Sequence, residues 1–545
     1  MKPPADLVIR GGTVYTADPP SPVAEALAVT GERISYVGGR DGVADWIGPD
    51  TEVLDGRGRL VIPGFRDSHI HPIHGSLLWV ECVLAGEDTV AGCLAKIAAH
   101  AADTGREVIR GNGWRQGLFG PQGPHRGLLD AICPDRPVYL TALDGHSAWV
   151  NSRALRLAGL DRGTPDPLGG RIERDLRTGE PTGTLREWPA MNLVADRLPP
   201  PDRADLLAAM EVFMEMAARC GIVAVQEAAA GERELEVYRE LDREGSLTME
   251  IGASLLCDPA AGPEQADKLI ALRQRYGSAL VHPFAAKIFL DGVLESHTAY
   301  LSAPYADQPD HRGTLVWPEE NFRAVLGALD QRGVDLHIHA VGDRAIALAL
   351  DAFAAAGRRR GGAAGRRHQV AHLDLLNLAD MDRLKELAVI ANMQPAWFYE
   401  DESFCEVILP AIGPERAATL YRLRTLLSRG VQTCLSSDWP YSGGLSTFNP
   451  LEAIQVGLTR KSLAGGEGSP FLPEERVGLG ELIDGFTIAS AFAGRREEET
   501  GSLTAGRYAD IALLERDLFA CPPAEIGRTK VLLTLFRGRA VHRDL

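Results

Sequence analysis

No two of the chain's eight cysteines form a CxxC pair: they stand at positions 82, 93, 133, 220, 257, 405, 434 and 521. That spacing argues against a dense disulfide framework and a thiolate zinc site, and makes a reduced, cytoplasmic protein the expectation. The opening residues Met1-Lys2-Pro3-Pro4-Ala5-Asp6 lack the apolar core of a secretory leader, and no charge-free run is long enough to span a bilayer. Basic residues are in deficit, 57 against 74 acidic, for a formal net charge of -17. Such a surface repels phosphate backbones and anionic headgroups, so neither nucleic acid nor a membrane is an expected partner. There is no low-complexity tract either, because the 58 glycines and 34 prolines are scattered as turn-formers.

What is present is length, at 545 residues too much for one ordinary core. Residues 6–17, 25–38 and 51–55 are short β-type segments broken by Gly-Gly, Gly-Glu and Asp-Gly turns, and the same character returns only at 508–515 and 530–542. Neither end buries a core alone. The economical arrangement is one small β-sandwich domain built from 1–62 and 496–545, with a large domain, 63–495, inserted between. Inside that domain a strand ending at His71 is followed by strand-like runs at 221–227, 247–255, 283–291, 334–341, 366–373, 388–395 and 431–438. Amphipathic or Ala-rich helices are expected at 203–218, 264–275, 320–331, 344–356 and 412–428. Eight such units are the number a closed (β/α)8 TIM-like barrel needs; an open doubly wound sheet is the alternative. The interval from about 76 to 200 breaks the repeat. With a strand at 137–141 and a Gly-rich hairpin around 168–184, it is expected to be a large insertion after barrel strand 1, packed over the barrel mouth.

Val61-Ile62-Pro63-Gly64-Phe65-Arg66-Asp67-Ser68-His69-Ile70-His71 is the stretch around which the chemistry gathers. On a strand, residues i and i+2 share a face, so His69 and His71 present two imidazoles to one point. Further ligand-type residues fall at later strand ends: Lys287 within an apolar strand, His339, His372 and Asp438. Each has an ordinary explanation as a core histidine, a turn cap before Trp439-Pro440, or a lysine paired with Asp291 or Glu295. His337 forms a second i,i+2 pair with His339, and the latter is preferred as ligand because it lies nearer the strand end. Recurrence at the C-terminal ends of strands 1, 4, 5, 6 and 8, where barrel enzymes place their chemistry, favours a metal site.

With these residues the chain resembles the amidohydrolase superfamily, and most closely its amidohydrolase-3 (YtcJ-like) branch, which includes N-substituted formamide deformylases. The resemblance spans essentially the whole chain. It is carried by Pro63-Gly64-Phe65, Asp67-Ser68-His69-Ile70-His71, Gly111-Asn112-Gly113-Trp114, Asp144-Gly145-His146, Lys287-Ile288-Phe289-Leu290-Asp291-Gly292, His339-Ala340-Val341-Gly342-Asp343, Met393-Gln394-Pro395 and Ser437-Asp438. It implies that His69, His71 and Asp438 bind one metal, that His339 and His372 bind another, and that Lys287, carboxylated, bridges them. A binuclear or mononuclear centre of one or two Zn2+ ions suits this ligand set, with Fe, Mn or Co as substitutes. Two departures stand out: no acidic residue directly precedes the strand-six His372, and strand two ends in Gln226-Glu227 where the family often has Asp.

The implied activity is metal-dependent hydrolysis of a non-peptide C–N bond in an N-substituted amide, formamide or cyclic amide. Metal-activated hydroxide would attack the carbonyl carbon, Asp438 would shuttle the proton, and His339 would help orient the oxyanion. Heterocycle deamination, ester or carbamate hydrolysis, and a non-catalytic metal-binding scaffold are the alternatives. Substrate contacts are expected from Trp114, His146, Trp149, Arg174 and Glu187 in the insertion and from His297 after strand four. The two indoles imply a small-molecule substrate of partly apolar or aromatic character. Beyond that substrate, the one partner envisaged is a second copy of the chain in a homodimer.

Overall fold

The computed structural model describes residues 3–120, 122–143, 147–167, 170–360, 365–441, 445–464 and 469–545. The chain divides into two compact units, one of Met1–Pro72 with Met214–Leu545 and one of Ile73–Phe213.

In the first unit the chain ends meet in one mixed sheet of eight strands: Leu7–Tyr15, Val23–Thr30, Arg33–Gly38, Glu52–Asp55, Leu60–Pro63, Ile511–Leu514, Val531–Phe536 and Arg539–Arg543. Leu60–Pro63 is the seam, parallel to Leu7–Tyr15 on one side and antiparallel to Ile511–Leu514 on the other. The period-2 alternation of these strands sorts their side chains. Leu7, Ile9, Leu27, Val29, Val61, Ile511, Leu513, Leu533 and Leu535 gather in one apolar cluster, while Val8, Ala26 and Ala28 join another. The sandwich expected from sequence therefore takes the form of a single continuous hydrogen-bonded sheet.

Gly64 hands the chain from this sheet to the barrel. Its N–H donates to the Asp510 carbonyl, and a Cβ here would lie 2.6 Å from both γ-carbons of Val223. The Pro63-Gly64-Phe65 sequence thus owes its glycine to close packing against Val223.

The barrel is an eight-stranded parallel sheet whose strands follow one another in sequence order: Phe65–Ile70, Ile222–Ala230, Glu250–Leu256, Val281–Phe289, Asp335–Ala340, Gln369–His372, Ile390–Met393 and Thr433–Leu435. We number them 1 to 8. All seven adjacent pairs are parallel. The first and last strands meet just past strand 8, where Asp438 N–H donates to the His69 carbonyl at 2.8 Å and His71 N–H to the Trp439 carbonyl at 2.9 Å. The sheet is thereby nearly closed, and every strand residue of strands 1, 5, 6, 7 and 8 is buried. Burial on both faces leaves no polar outer face on these strands, and the polar residues they carry, such as Asp67, His337 and Gln369, are themselves buried.

Four of the five expected helices appear, as Arg203–Arg219, Gln265–Tyr276, Glu319–Gln331 and Asp343–Arg360. The fifth, expected over 412–428, is instead three short pieces, Leu409–Ile412, Pro414–Ala417 and Leu423–Ser428. Gly413 at φ 77° and Tyr421 at φ 53° break it, and Pro414 removes a backbone donor at the first break.

The inserted unit has a fold of its own. Six strands pair in the order Arg171–Arg174, Pro181–Arg186, Ser147–Val150, Val138–Ala142, Ile109–Trp114 and Cys82–Val83. The expected strand at 137–141 and the Gly-rich hairpin are both present, the latter as the antiparallel pair Arg171–Arg174 and Pro181–Arg186. Helix Val90–Asp103, capped by the Thr89 side chain accepting from Gly92 N–H, buries Cys93, Ile97 and Ala101 against the sheet. Among the described residues no helix is long and apolar enough to cross a membrane.

Candidate metal centre

Strands 1, 5, 6 and 8 end around one carboxylate. Asp438 Oδ1 lies 3.2 Å from His69 Nε2 and 3.4 Å from His71 Nε2, and Asp438 Oδ2 lies 3.9 Å from His372 Nδ1. Ligand atoms of His69, His372 and Asp438 all fall within 4.8 Å of one another. The His339 ring is 4.4 Å from the His372 ring, centroid to centroid. Lys287, on strand 4, is fully buried with Nζ 3.3 Å from His69 Nε2. All six residues named from sequence as ligands therefore converge.

Two of them sit in backbone conformations that non-glycine residues rarely adopt, His372 at φ 79° and Asp438 at φ 55°. Such strain persists where surrounding contacts over-determine it, and here it turns an imidazole and a carboxylate toward the barrel axis. Asp438 is pinned by its own N–H to the His69 carbonyl and by Tyr441 N–H donating to its carbonyl.

Every imidazole also has a nitrogen held by another group. His69 Nδ1 is 3.0 Å from His337 Nε2, and His337 Nδ1 in turn meets Gln226 Nε2 at 2.7 Å and Ser254 Oγ at 3.0 Å. His71 Nδ1 is 3.3 Å from Glu227 Oε1, whose other oxygen accepts from Tyr238 Oη at 2.8 Å. His339 Nε2 donates to the Gly292 carbonyl at 3.1 Å, which leaves Nδ1 for a ligand. His372 Nδ1 is 3.1 Å from Gln394 Oε1, and the Gln394 amide is itself fixed by donating to Ser436 Oγ at 2.8 Å. Orientation of ring nitrogens by outer partners is characteristic of metal-binding histidines. From sequence, His337 was the alternative ligand to His339 and Glu227 a departure expected to alter the ligands' surroundings or the substrate fit, while Gln394 carried no supporting task. The strand period was the one available signal, since His337 and His339 share a face.

Asp291 braces the rim. Its carboxylate accepts from Tyr300 N–H at 2.8 Å, Val341 N–H at 3.1 Å and Gly342 N–H at 2.9 Å, joining the loops after strands 4 and 5. A Cβ on Gly342 would lie 2.2 Å from the Tyr300 carbonyl oxygen, so the Gly342 position admits no side chain. Asp291 is consequently not the partner of Lys287 that sequence allowed.

The donor set fits a divalent cation. Burial, reinforced by Lys287, holds His69 well below the ordinary histidine range and lowers His339 to about 4. Burial and His339 do the same to His372, so these three rings are neutral near pH 7 and offer lone pairs. Burial opposes charge on Asp438, but the hydrogen bond from His71 and the nearby His372 hold its pKa below the usual carboxylate value. His71 is different: burial disfavours its charge, yet Asp438 and Glu227 push it up to about 9. Burial lowers Lys287 to about 7, leaving a neutral amine within reach as the pH rises. Neutral imidazoles around a retained carboxylate are hard-to-borderline donors of the kind zinc, iron, manganese and cobalt accept.

Five of the six substrate contacts expected from sequence fall within the described residues. Trp114 and Trp149 are fully buried in the core of the inserted unit, their indole N–H groups donating to the Leu140 and His125 carbonyls. Both are packing residues there, with no exposed face for a substrate. Arg174 donates to the carbonyls of Asp161, Thr164 and Gly179 and so fastens the hairpin. Glu187, at φ 62°, lines a cavity of about 780 Å³ in the inserted unit together with Gln116, Arg171 and Arg186. His297 pairs with Asp307 at 2.8 Å and packs on Tyr305, which makes it a loop-stabilising residue. His146 lies outside the described residues. Aromatic rings at the centre include Trp397, stacked on His372 at 5.3 Å and 7°, Tyr441, 5.6 Å from the His71 ring, and Phe289, 5.5 Å from the His339 ring.

A model of the amidohydrolase family matches residues 52–542. The putative amidohydrolase YtcJ of Bacillus subtilis is 28% identical over 542 residues, covering 98% of this chain and 98% of that protein. The N-substituted formamide deformylase of Arthrobacter pascens is 29% identical over 561 residues, covering 98% and 97%. An uncharacterised metal-dependent hydrolase of Pyrococcus furiosus, known from its crystal structure, superposes with a TM-score of 0.75 at 28% identity, over 94% of this chain and 99% of that one.

Proposed function

This chain belongs to the amidohydrolase family, and from that membership we propose that it hydrolyses the C–N bond of an N-substituted amide, formamide or cyclic amide. The observation that carries the reading is Asp438, one buried carboxylate within 3.4 Å of two imidazoles and 3.9 Å of a third. Likeness over nearly its full length to a formamide deformylase favours amides over other carbonyl substrates.

A divalent cation held by these residues supplies Lewis acidity and an acidified water. His69, His71 in its neutral form, His339, His372, Asp438 and, if carboxylated, Lys287 would hold it; zinc is the preferred ion. Asp438 remains anionic near neutral pH and is the base that takes the proton of the attacking water. The same carboxyl then returns the proton to the departing nitrogen, because it touches the centre from strand 8 and needs no further relay. His339, held from its Nε2 side by the Gly292 carbonyl, keeps the lone pair of Nδ1 free for the cation. Burial of all these side chains keeps bulk water from screening the charges.

The test is a panel of formamides, acyl amines, lactams and aminated heterocycles, assayed before and after chelation and after zinc is restored. Turnover of the amides is expected to vanish on chelation and return with zinc. Turnover of aminated heterocycles alone would assign the site to deamination, and turnover that survives full metal removal would overturn the reading.

A further inference from the structure

One run of hydrogen bonds passes through the barrel core and joins two histidines of the metal centre. It starts at His372 Nδ1, 3.1 Å from Gln394 Oε1. Gln394 Nε2 donates to Asn392 Oδ1 at 3.2 Å, Asn392 Nδ2 to Gln369 Oε1 at 3.1 Å, and Gln369 Nε2 to Gln226 Oε1 at 3.4 Å. Gln226 Nε2 lies 2.7 Å from His337 Nδ1, and His337 Nε2 lies 3.0 Å from His69 Nδ1. All seven side chains are buried. Every amide donates in the same sense, away from His372 and toward His69.

Three backbone carbonyls hold that sense. The Asn392 carbonyl accepts from Gln394 Nε2 at 3.2 Å, the Ser68 carbonyl from Asn392 Nδ2 at 3.0 Å, and the Ala493 carbonyl from Gln369 Nε2 at 3.2 Å. Oxygen and nitrogen of an amide are told apart by such partners, so three of the four amides are assigned by the backbone. Gln226 has no backbone anchor among the described residues. Its remaining partner is Ser254 Oγ at 3.0 Å, a hydroxyl that donates or accepts and so serves either orientation.

The common direction has opposite consequences at the two ends, because a neutral imidazole carries one N–H. Gln394 Oε1 accepts from His372, which keeps its proton on Nδ1 and its lone pair on Nε2. At the other end Gln226 Nε2 donates to His337 Nδ1, so His337 carries its proton on Nε2 and gives it to His69 Nδ1. His69 is then left with its N–H on Nε2, the nitrogen 3.2 Å from Asp438 Oδ1. A cation beside Asp438 needs the lone pair of that nitrogen. His372 is ready for a ligand bond, and His69 is not.

We propose that Gln226 is a positioning residue that prepares His69 for the cation. Turned over, its amide presents Oε1 to His337 Nδ1, which draws the N–H of both rings to Nδ1 and bares His69 Nε2. Each ring loses one N–H and gains one, so neither changes charge. The turn gives up the bond from Gln369, the longest of the run at 3.4 Å, and Ser254 Oγ changes from acceptor to donor. The inference rests on the cation-binding part of the proposed function and holds whichever C–N bond is cut.

The experiment uses the full chain, metal-free and zinc-loaded, with isotopically labelled histidine whose ring nitrogen shifts separate a protonated nitrogen from a bare one. Signals of His337 are identified by their loss in His337→Phe. The His337 proton is expected on Nε2 without metal and on Nδ1 with zinc. In Gln226→Glu, whose carboxylate only accepts, it is expected on Nδ1 in both states. Competition with a chromogenic chelator is expected to show this variant binding zinc about tenfold more tightly than wild type. A packing role alone would weaken zinc binding, and added charge alone would leave the metal-free His337 proton on Nε2. The wild-type measurement decides the matter if the variant fails to fold. One His337 tautomer with and without zinc, or weaker zinc binding by Gln226→Glu, would overturn the proposal. A zinc-linked move of the His337 proton in a protein that turns over no amide would leave it standing and overturn the hydrolysis reading.

Discussion

His69 and His71 show how far residue types at fixed spacing carry an argument. The strand period put both rings on one side, and the structure brings them to within 3.4 Å of the same Asp438 oxygen, 367 positions from His71 in sequence. Ligand-type residues were legible because a metal site restricts identity to a few side chains. The residues that steer them were not, since Gln394 and His337 act through one hydrogen bond each and many side chains fill a core equally well. Their contribution is measurable. His337→Phe removes the group facing His69 Nδ1, and Gln394→Ala frees His372 Nδ1. Each is expected to weaken zinc binding about 10–100-fold with little change in thermal midpoint for the second, as competition with a chromogenic chelator would show. Unchanged affinity in both would mean that packing alone orients the rings.

The strands were legible at the scale of elements because short β-type runs recur between helical ones, and all eight were found within a few residues of their ends. The expectation of one helix over 412–428 failed at Gly413-Pro414 and at Tyr421, because an apolar periodicity does not register the positive φ values of Gly413 and Tyr421. Gly64 is a local test of the seam between terminal sheet and barrel. Gly64→Ala is expected to cost ~1–3 kcal/mol by driving a methyl into Val223, read as a lowered urea midpoint. Glu250 provides a pH test on strand 3. It is buried and paired with Arg66 and Arg496, and although burial alone would raise its pKa, those guanidinium groups hold it at about 2 against an ordinary 4.5. A folded value below the unfolded one means that the stabilisation is complete above about pH 4.5 and is lost as the pH falls toward 2. Glu250→Gln is expected to lower stability by ~3 kcal/mol at pH 7 and by progressively less below pH 4.5, in urea unfolding followed across that range. A constant difference at every pH would contradict the ion-pair origin.

For the molecule as a whole, the joining of both chain ends was legible from matching strand–turn–strand character, since neither end has enough apolar surface to fold by itself. The insertion was legible in its extent, its strand and its hairpin, but the packing of its indoles was not. Its Trp, Gly and Pro residues suggested loops lining a pocket, whereas Ile73–Phe213 is a unit with its own six-stranded sheet, into which Trp114 and Trp149 are packed. An aromatic side chain carries the same sequence signal in a core as in a binding site, and periodicity across short mixed strands is too weak to separate the two. What the barrel accomplishes is the meeting of strands 1, 4, 5, 6 and 8, drawn from positions 69 to 438, around one carboxylate, which we propose as both ligand and base. Steady-state turnover of an amide by Asp438→Asn, compared with wild type at matched zinc content, tests that dual role most directly. Loss of about 100- to 10,000-fold in kcat with the thermal midpoint nearly retained is the predicted result. Turnover within a few fold of wild type would contradict it.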